Sequence, residues 1–187
     1  MGTTAVILAA GENTRLQVMG LPPGKKPLMV HNGEVLIRRL CAQSRDAGCD
    51  RIVIVVSPGN CEDVVFATRE FDPLLVVQYK QDGVHRAMDL GMMLVELCDD
   101  VLLLMGDNYV PGDINLDGQD PFIFVRESTD AALTLVGREC TRWVGPVYFP
   151  AAWHTFDADT WDVLFKTGPF THIHGHAKDM GTTHEWQ

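Results

Sequence analysis

The chain reads as an α/β protein, a three-layer α/β/α sandwich around a mixed, mostly parallel sheet, and three observations predict it. Short apolar runs alternate with amphipathic stretches through the first two thirds of the 187 residues. The runs are rich in Val, Leu and Ile, with no polar alternation, as expected of strands covered on both faces by helices. The first of them turns at once through Ala10-Gly11-Glu12, a strand–loop–helix start.

Ala5 to Ala10 is the first buried strand. Ile37 to Ala47 is a helix with Ile37, Leu40, Cys41 and Ser44 on one face and Gly48 just past its end as a C-cap. Ile52–Val56 is the second strand, and a short helix follows from Asn60 or Cys61 to Thr68. Leu74–Tyr79 is the third strand, Val84 to Leu97 a helix, and Val101–Met105 a fourth strand running into Gly106-Asp107-Asn108. Strands alternating with helices imply parallel pairing through right-handed crossovers. After the polar stretch Asp113 to Asp120 come strands at Phe122–Val125, Ala132–Val136 and Val144–Phe149. A helix over Asp157 to Lys166 and a strand over Thr171–His176 close the chain. With no repeat, linker or low-complexity tract, residues 1–187 are expected to form a single domain.

A net charge of −10 argues against nucleic acid as a partner, because phosphate backbones are held by clustered Lys and Arg. No early apolar run is long enough for a membrane span or a secretory signal, so a cytoplasmic protein with no membrane partner is expected. The 5 cysteines are scattered without a C-x-x-C pair and suit reduced core thiols.

The chemistry begins at Leu8-Ala9-Ala10-Gly11-Glu12-Asn13-Thr14-Arg15-Leu16. Such a turn places backbone N–H groups, a hydroxyl and a guanidinium at the C-terminal edge of the sheet, where open α/β sheets bind ligands. Small residues let the backbone approach phosphate oxygens, and Arg15 offers a planar donor fork. Together with Lys26-Pro27-Leu28, this block resembles the L-A-A-G-x-G-T-R-L…P-K-P-L signature of the sugar-nucleotide pyrophosphorylases. Asn13 stands where that family has its second glycine, and Asn tolerates left-handed backbone angles better than other side chains do.

Further blocks extend the likeness. Gln78-Tyr79-Lys80-Gln81-Asp82-Gly83 and Leu102-Leu103-Leu104-Met105-Gly106-Asp107-Asn108 are similar to Q-x-x-x-D-G and L-V-L-G-D-N of glucose-1-phosphate thymidylyltransferases. Trp143 to Phe149 looks like V-T-G-L-Y-F, and Ala177-Lys178-Asp179-Met180-Gly181-Thr182 like W-L-D-T-G-T. The family's Glu-Lys-Pro block corresponds to Arg138-Glu139-Cys140, without its lysine.

The resemblance implies the nucleotide-diphospho-sugar transferase fold, Rossmann-like and GT-A-like, in a shortened form. It also implies the site. Leu8, Ala10, Gly11, Thr14 and Arg15 would hold the triphosphate, Gln78 and Gly83 would read a pyrimidine, and Arg15, Lys26 and Asp107 would be catalytic. The glutamine amide is expected to donate and accept at once, with His85 either adding a contact or crowding the base. Asp107 and Asp179 would carry Mg²⁺, which favours carboxylate, phosphate and water oxygens. Gly145, Arg138 and Glu139 would meet the acceptor.

The implied reaction joins a nucleoside triphosphate, dTTP or UTP, to a sugar 1-phosphate or similar phosphorylated small molecule and releases pyrophosphate. A homo-oligomer is compatible with the reading. Three rival patterns stand beside it. His172, His174 and His176 alternate as a zinc-binding strand would, Asp157-Ala158-Asp159 has the D-x-D form of glycosyltransferases, and the missing lysine suits a nucleotide-binding module without turnover.

Overall fold

The structure is a computed structural model describing residues 2–12, 24–118, 120–127, 141–153, 171–174 and 178–179. Among the described residues the strands are β1 (Thr3–Leu8), β2 (Val30–His31), β3 (Glu34–Val35), β4 (Arg51–Val56), β5 (Leu74–Val77) and β6 (Asp100–Met105). They continue with β7 (Asn108–Tyr109), β8 (Phe122–Glu127), β9 (Thr141–Phe149), β10 (Thr171–His174) and β11 (Lys178–Asp179). The helices are α1 (Leu36–Asp46), α2 (Cys61–Thr68) and α3 (Val84–Met92).

One 7-stranded sheet runs in the order β10-β8-β9-β6-β1-β4-β5. β1 pairs in parallel with β4 and β6, β4 with β5, and β8 with β10; only β9 runs against its neighbours β6 and β8. The sheet is therefore mixed and mostly parallel, as expected. The chain builds outward from β1 through β4 to β5 and returns to lay β6 on the other side of β1. That reversal opens a crevice beyond the ends of β1 and β6, the usual ligand position in such sheets.

The core divides by strand alternation. Ala5, Ile7, Ile52 and Ile54 meet Ile37, Leu40 and Cys41 of α1 and Val64 of α2 on one face. Val6, Leu8, Val53 and Val55 meet Ala87, Met88 and Met92 of α3 on the other, which makes three layers. α3 lies so close to β1 that a Cβ at Gly91 would stand 2.5 Å from Val6 Cγ1.

The predicted elements of this half recur with shifted ends: β1, β4 and β6 begin one or two residues earlier than expected, and β5 stops at Val77. Gly48 follows α1 at φ +87° and its N–H reaches the Arg45 carbonyl, as a C-cap glycine should. α3 ends at Met92 rather than Leu97, because tight turns from Leu94 to Gly91 and from Val95 to Met92 take over and leave Leu97 76% exposed. The expected strand Ala132–Val136 and helix Asp157 to Lys166 fall outside the described residues. Of the cysteines, Cys41 and Cys49 are core thiols, which burial pushes up to about 12, whereas Cys61 is half-buried and Cys98 exposed.

Candidate active site

A cleft of about 250 Å³ opens at the C-terminal ends of β1 and β6, lined by Leu8 to Gly11, Lys26, Gln78, Gly83 and Asp107 among others. These residues lie far apart in sequence, and the strand order brings them together.

The β1 end is held against the sheet by its neighbours. Ala9 N–H reaches the Val55 carbonyl at 2.8 Å, and Gly106 N–H reaches the Leu8 carbonyl at 2.9 Å. A side chain at Gly106 would come within 2.9 Å of that same oxygen, so only glycine lets the two strand ends approach this closely.

Asn60, 1% exposed, ties Ala9 to Gly24. Its Nδ2 donates to the carbonyls of Ala9 at 2.8 Å and Gly24 at 2.9 Å, while its Oδ1 accepts from Ser57 N–H at 2.9 Å. Sequence reasoning missed this residue. The available signal was its place in the Ser57-Pro58-Gly59-Asn60 turn after β4, since turns at that sheet edge converge on the site.

Lys26 begins a 3₁₀ turn, Lys26–Leu28, in which Pro27 supplies the backbone angle. The turn directs Lys26 inward while Lys25 pairs with Asp63 at the surface. Lys26 is 7% exposed, and its Nζ donates to Asp107 Oδ2 at 3.0 Å. Asp107 sits in the turn between β6 and β7. β7 is braced by Tyr109, whose ring packs on His31 with 4.4 Å between centroids and lies 4.8 Å beneath the Arg39 guanidinium.

Gln78 continues β5 by one residue, its N–H bonded to the Val56 carbonyl at 2.8 Å, and its side chain is buried. Nε2 donates to Asp82 Oδ1 at 3.0 Å and to the Gly83 carbonyl at 3.3 Å. The donor end of the amide is thus engaged within the loop. Gly83 caps α3 at φ +101°, ψ 174°, a conformation that L side chains resist. The cleft wall from α3 is Val84 and Ala87 rather than the expected His85. Gln81, also unforeseen, donates to the Ala10 carbonyl at 2.8 Å and so joins the Gln78–Gly83 loop to the β1 turn.

Asp179 enters through backbone register: β11 pairs antiparallel with β7, setting Asp179 opposite Asn108, the neighbour of Asp107. Gly145 lies in β9 past the Leu103–Val147 pair, toward the end of β6 that bears the cleft. Thr14, Arg15, Arg138 and Glu139 lie outside the described residues, as do His176 and Asp157 to Asp159; His172 and His174 belong to β10. A separate grouping of Glu96, Cys98 and Asp99 lies at the opposite end of β6. Its Asp99 accepts from Gly2 N–H at 3.1 Å and from Thr4 Oγ1 at 2.8 Å, so it serves the fold. Among the described residues, no helix is long and apolar enough to cross a membrane.

The profile of the MobA-like NTP transferase domain matches residues 5–114. The bifunctional protein GlmU of Xanthobacter autotrophicus is 34% identical over 107 residues, covering 54% of this chain. The chain spans only 22% of that relative's length. In fold, a Bacillus anthracis protein assigned as a glucose-1-phosphate thymidylyltransferase and solved with a sucrose superposes with a TM-score of 0.72 at 17% identity. That match covers 98% of this chain and 92% of the other. A CTP:phosphocholine cytidylyltransferase from Streptococcus pneumoniae gives 0.69 at 17% identity, covering 100% and 96%. At these identities the two structures speak for the fold.

Proposed function

Because the chain belongs to the MobA-like NTP transferase domain family, we propose that it transfers a nucleoside monophosphate from dTTP or UTP to a sugar 1-phosphate or a similar phosphorylated small molecule, releasing pyrophosphate. One observation carries the reading: the cleft at the β1/β6 reversal gathers a small-residue turn, a buried lysine, a strand-end aspartate and a buried glutamine. The turn and the lysine suit phosphate, the aspartate a metal and the glutamine a base. The single sheet joining β1 to β10 supports one domain over residues 1–187, and the reaction suits a cytoplasmic protein.

The acceptor phosphate is already anionic and needs no general base, so the protein's contribution is alignment and charge neutralisation. Backbone groups of Leu8, Ala10 and Gly11, with Thr14 and Arg15, hold the triphosphate. Lys26 neutralises charge near the α-phosphate. Gln78 and Gly83 hold the base, and Gly145, Arg138 and Glu139 meet the acceptor.

The donor set suits Mg²⁺: Asp107 offers a carboxylate at the cleft, and the β7–β11 register brings the backbone of Asp179 beside the same turn. When bound, the ion supplies Lewis-acid charge neutralisation at the phosphates. Two carboxylates at one site would call for a cation, and Lys26 Nζ already faces Asp107 with one.

A panel of dTTP, UTP, CTP, ATP and GTP against sugar 1-phosphates and other phosphorylated acceptors tests the reading by pyrophosphate release. Mg²⁺-dependent release from a thymidine or uridine triphosphate with at least one acceptor is expected. Triphosphate binding without release across the whole panel would replace the enzyme with a nucleotide-binding module.

A further inference from the structure

We propose that Asp82 is a specificity-determining residue, which fixes the direction of the Gln78 carboxamide so that only its oxygen is offered to the base. The inference rests on the reading of the cleft as a nucleotide site. It starts from what surrounds the amide. Nε2 stands 3.0 Å from Asp82 Oδ1 and 3.3 Å from the Gly83 carbonyl, and both of those atoms are acceptors. The reversed amide would set its oxygen against two oxygens, one of them charged, so the arrangement admits a single direction. The Gly83 carbonyl also accepts from Ala87 N–H at 3.4 Å, which leaves it little capacity for a ligand.

The other end of the amide is open. Gln78 is 3% exposed and lines the cleft, yet no donor among the described residues is bonded to its Oε1. Nor does that oxygen belong with the fully buried, unpartnered side-chain atoms, of which Gln43 Oε1 is the example. A buried side chain that presents one acceptor to a cavity asks for an N–H. Uracil and thymine carry one at ring position N3, and a base seated with N3 at this oxygen is discriminated there: cytosine has a lone pair at N3, and its amino donor lies one position away on C4. Without Asp82 the longer bond to the Gly83 carbonyl alone resists reversal, and a reversed amide would offer its NH₂ to cytosine as the oxygen serves uracil. Asp82 is itself exposed and packs no core, so its role is not support of the fold.

UTP and CTP share their sugar and phosphates, so their ratio of dissociation constants isolates the base edge. Equilibrium titrations with Mg²⁺ present on wild type, Asp82→Ala, Asp82→Asn, Gln78→Ala and the Asp82→Ala/Gln78→Ala double variant provide the test, with thermal midpoints as a check on folding. The wild type should favour UTP, and Asp82→Ala should shrink the preference about tenfold at an unchanged midpoint. Asp82→Asn, whose amide oxygen can still accept from Nε2, should keep most of the preference. In the absence of Gln78, Asp82→Ala should add nothing. A UTP preference that survives Asp82→Ala but falls in Gln78→Ala overturns the role of Asp82 and leaves the nucleotide site standing. A wild type that prefers CTP overturns the direction of the readout, and one that binds no triphosphate removes the site itself.

Discussion

The two ends of strand β6 carry aspartates with opposite fates. At its start, Asp99 is 5% exposed and accepts from Gly2 N–H and Thr4 Oγ1, while Asp100 accepts from Tyr148 and from Ala151 N–H. Nearby, Asp50 accepts from Thr3 N–H at 3.0 Å. These carboxylates satisfy fixed donors and stitch β1, β4 and β9 together. Past its other end, Asp107 has a lysine ammonium as its partner and a cleft beside it. An ammonium on a flexible stem can turn to an incoming phosphate, whereas a backbone N–H cannot leave its strand. Residue type alone thus says little about an aspartate's role; the mobility of its partners says more.

The largest effect should come from the cleft end. Asp107→Asn is expected to cut pyrophosphate release about a hundred- to a thousandfold, since it removes charge where metal and phosphates meet. The thermal midpoint should move little, because a carboxamide oxygen still accepts from Lys26 Nζ. Turnover that persists in this variant and in EDTA would erase the distinction between the two ends.

The opposite end should show the reverse. Asp99→Ala strips Gly2 N–H and Thr4 Oγ1 of their acceptor and is expected to cost about 1–3 kcal/mol in urea unfolding. kcat and KM should stay at wild-type values. A parallel loss of activity would mean that the N-terminal edge communicates with the cleft.

The smallest effect is alkaline. Burial raises the Cys41 and Cys49 thiols from 9.0 to about 12. Between those values the unfolded chain has released protons that the folded chain retains, so stability is fully present below pH 9 and declines as pH rises toward 12. Replacing both cysteines with alanine should flatten that decline relative to wild type, as read from unfolding free energy against pH. An unchanged slope would place the alkaline loss in other groups, Tyr148 first, whose hydroxyl is pushed up to about 12 by burial and by Asp100.

Legibility in the sequence followed the locality of the interactions. β1, β4 and β6 are continuous apolar runs, and Lys26, Gln78, Gly83 and Asp107 stand in short blocks whose neighbours constrain them. Asn60 escaped because its partners Ala9 and Gly24 are distant in sequence and offer only backbone carbonyls, which carry no sequence signal. The partners of the Gln78 donor were not legible for a different reason: its type permits two kinds of bond, and Asp82 and the Gly83 carbonyl select one.

The sequence by itself determined the α/β alternation, the apolar strands and the chemical types gathered for the site, because periodicity and short motifs are properties of neighbouring residues. Only the tertiary structure decided that β6 returns beside β1, that Lys26 faces Asp107, and that Asn60 ties Ala9 to Gly24. Each of these depends on strand order and on bonds between segments tens of residues apart. Such geometry arises when both helix layers bury the sheet together, and no local stretch of the chain carries it.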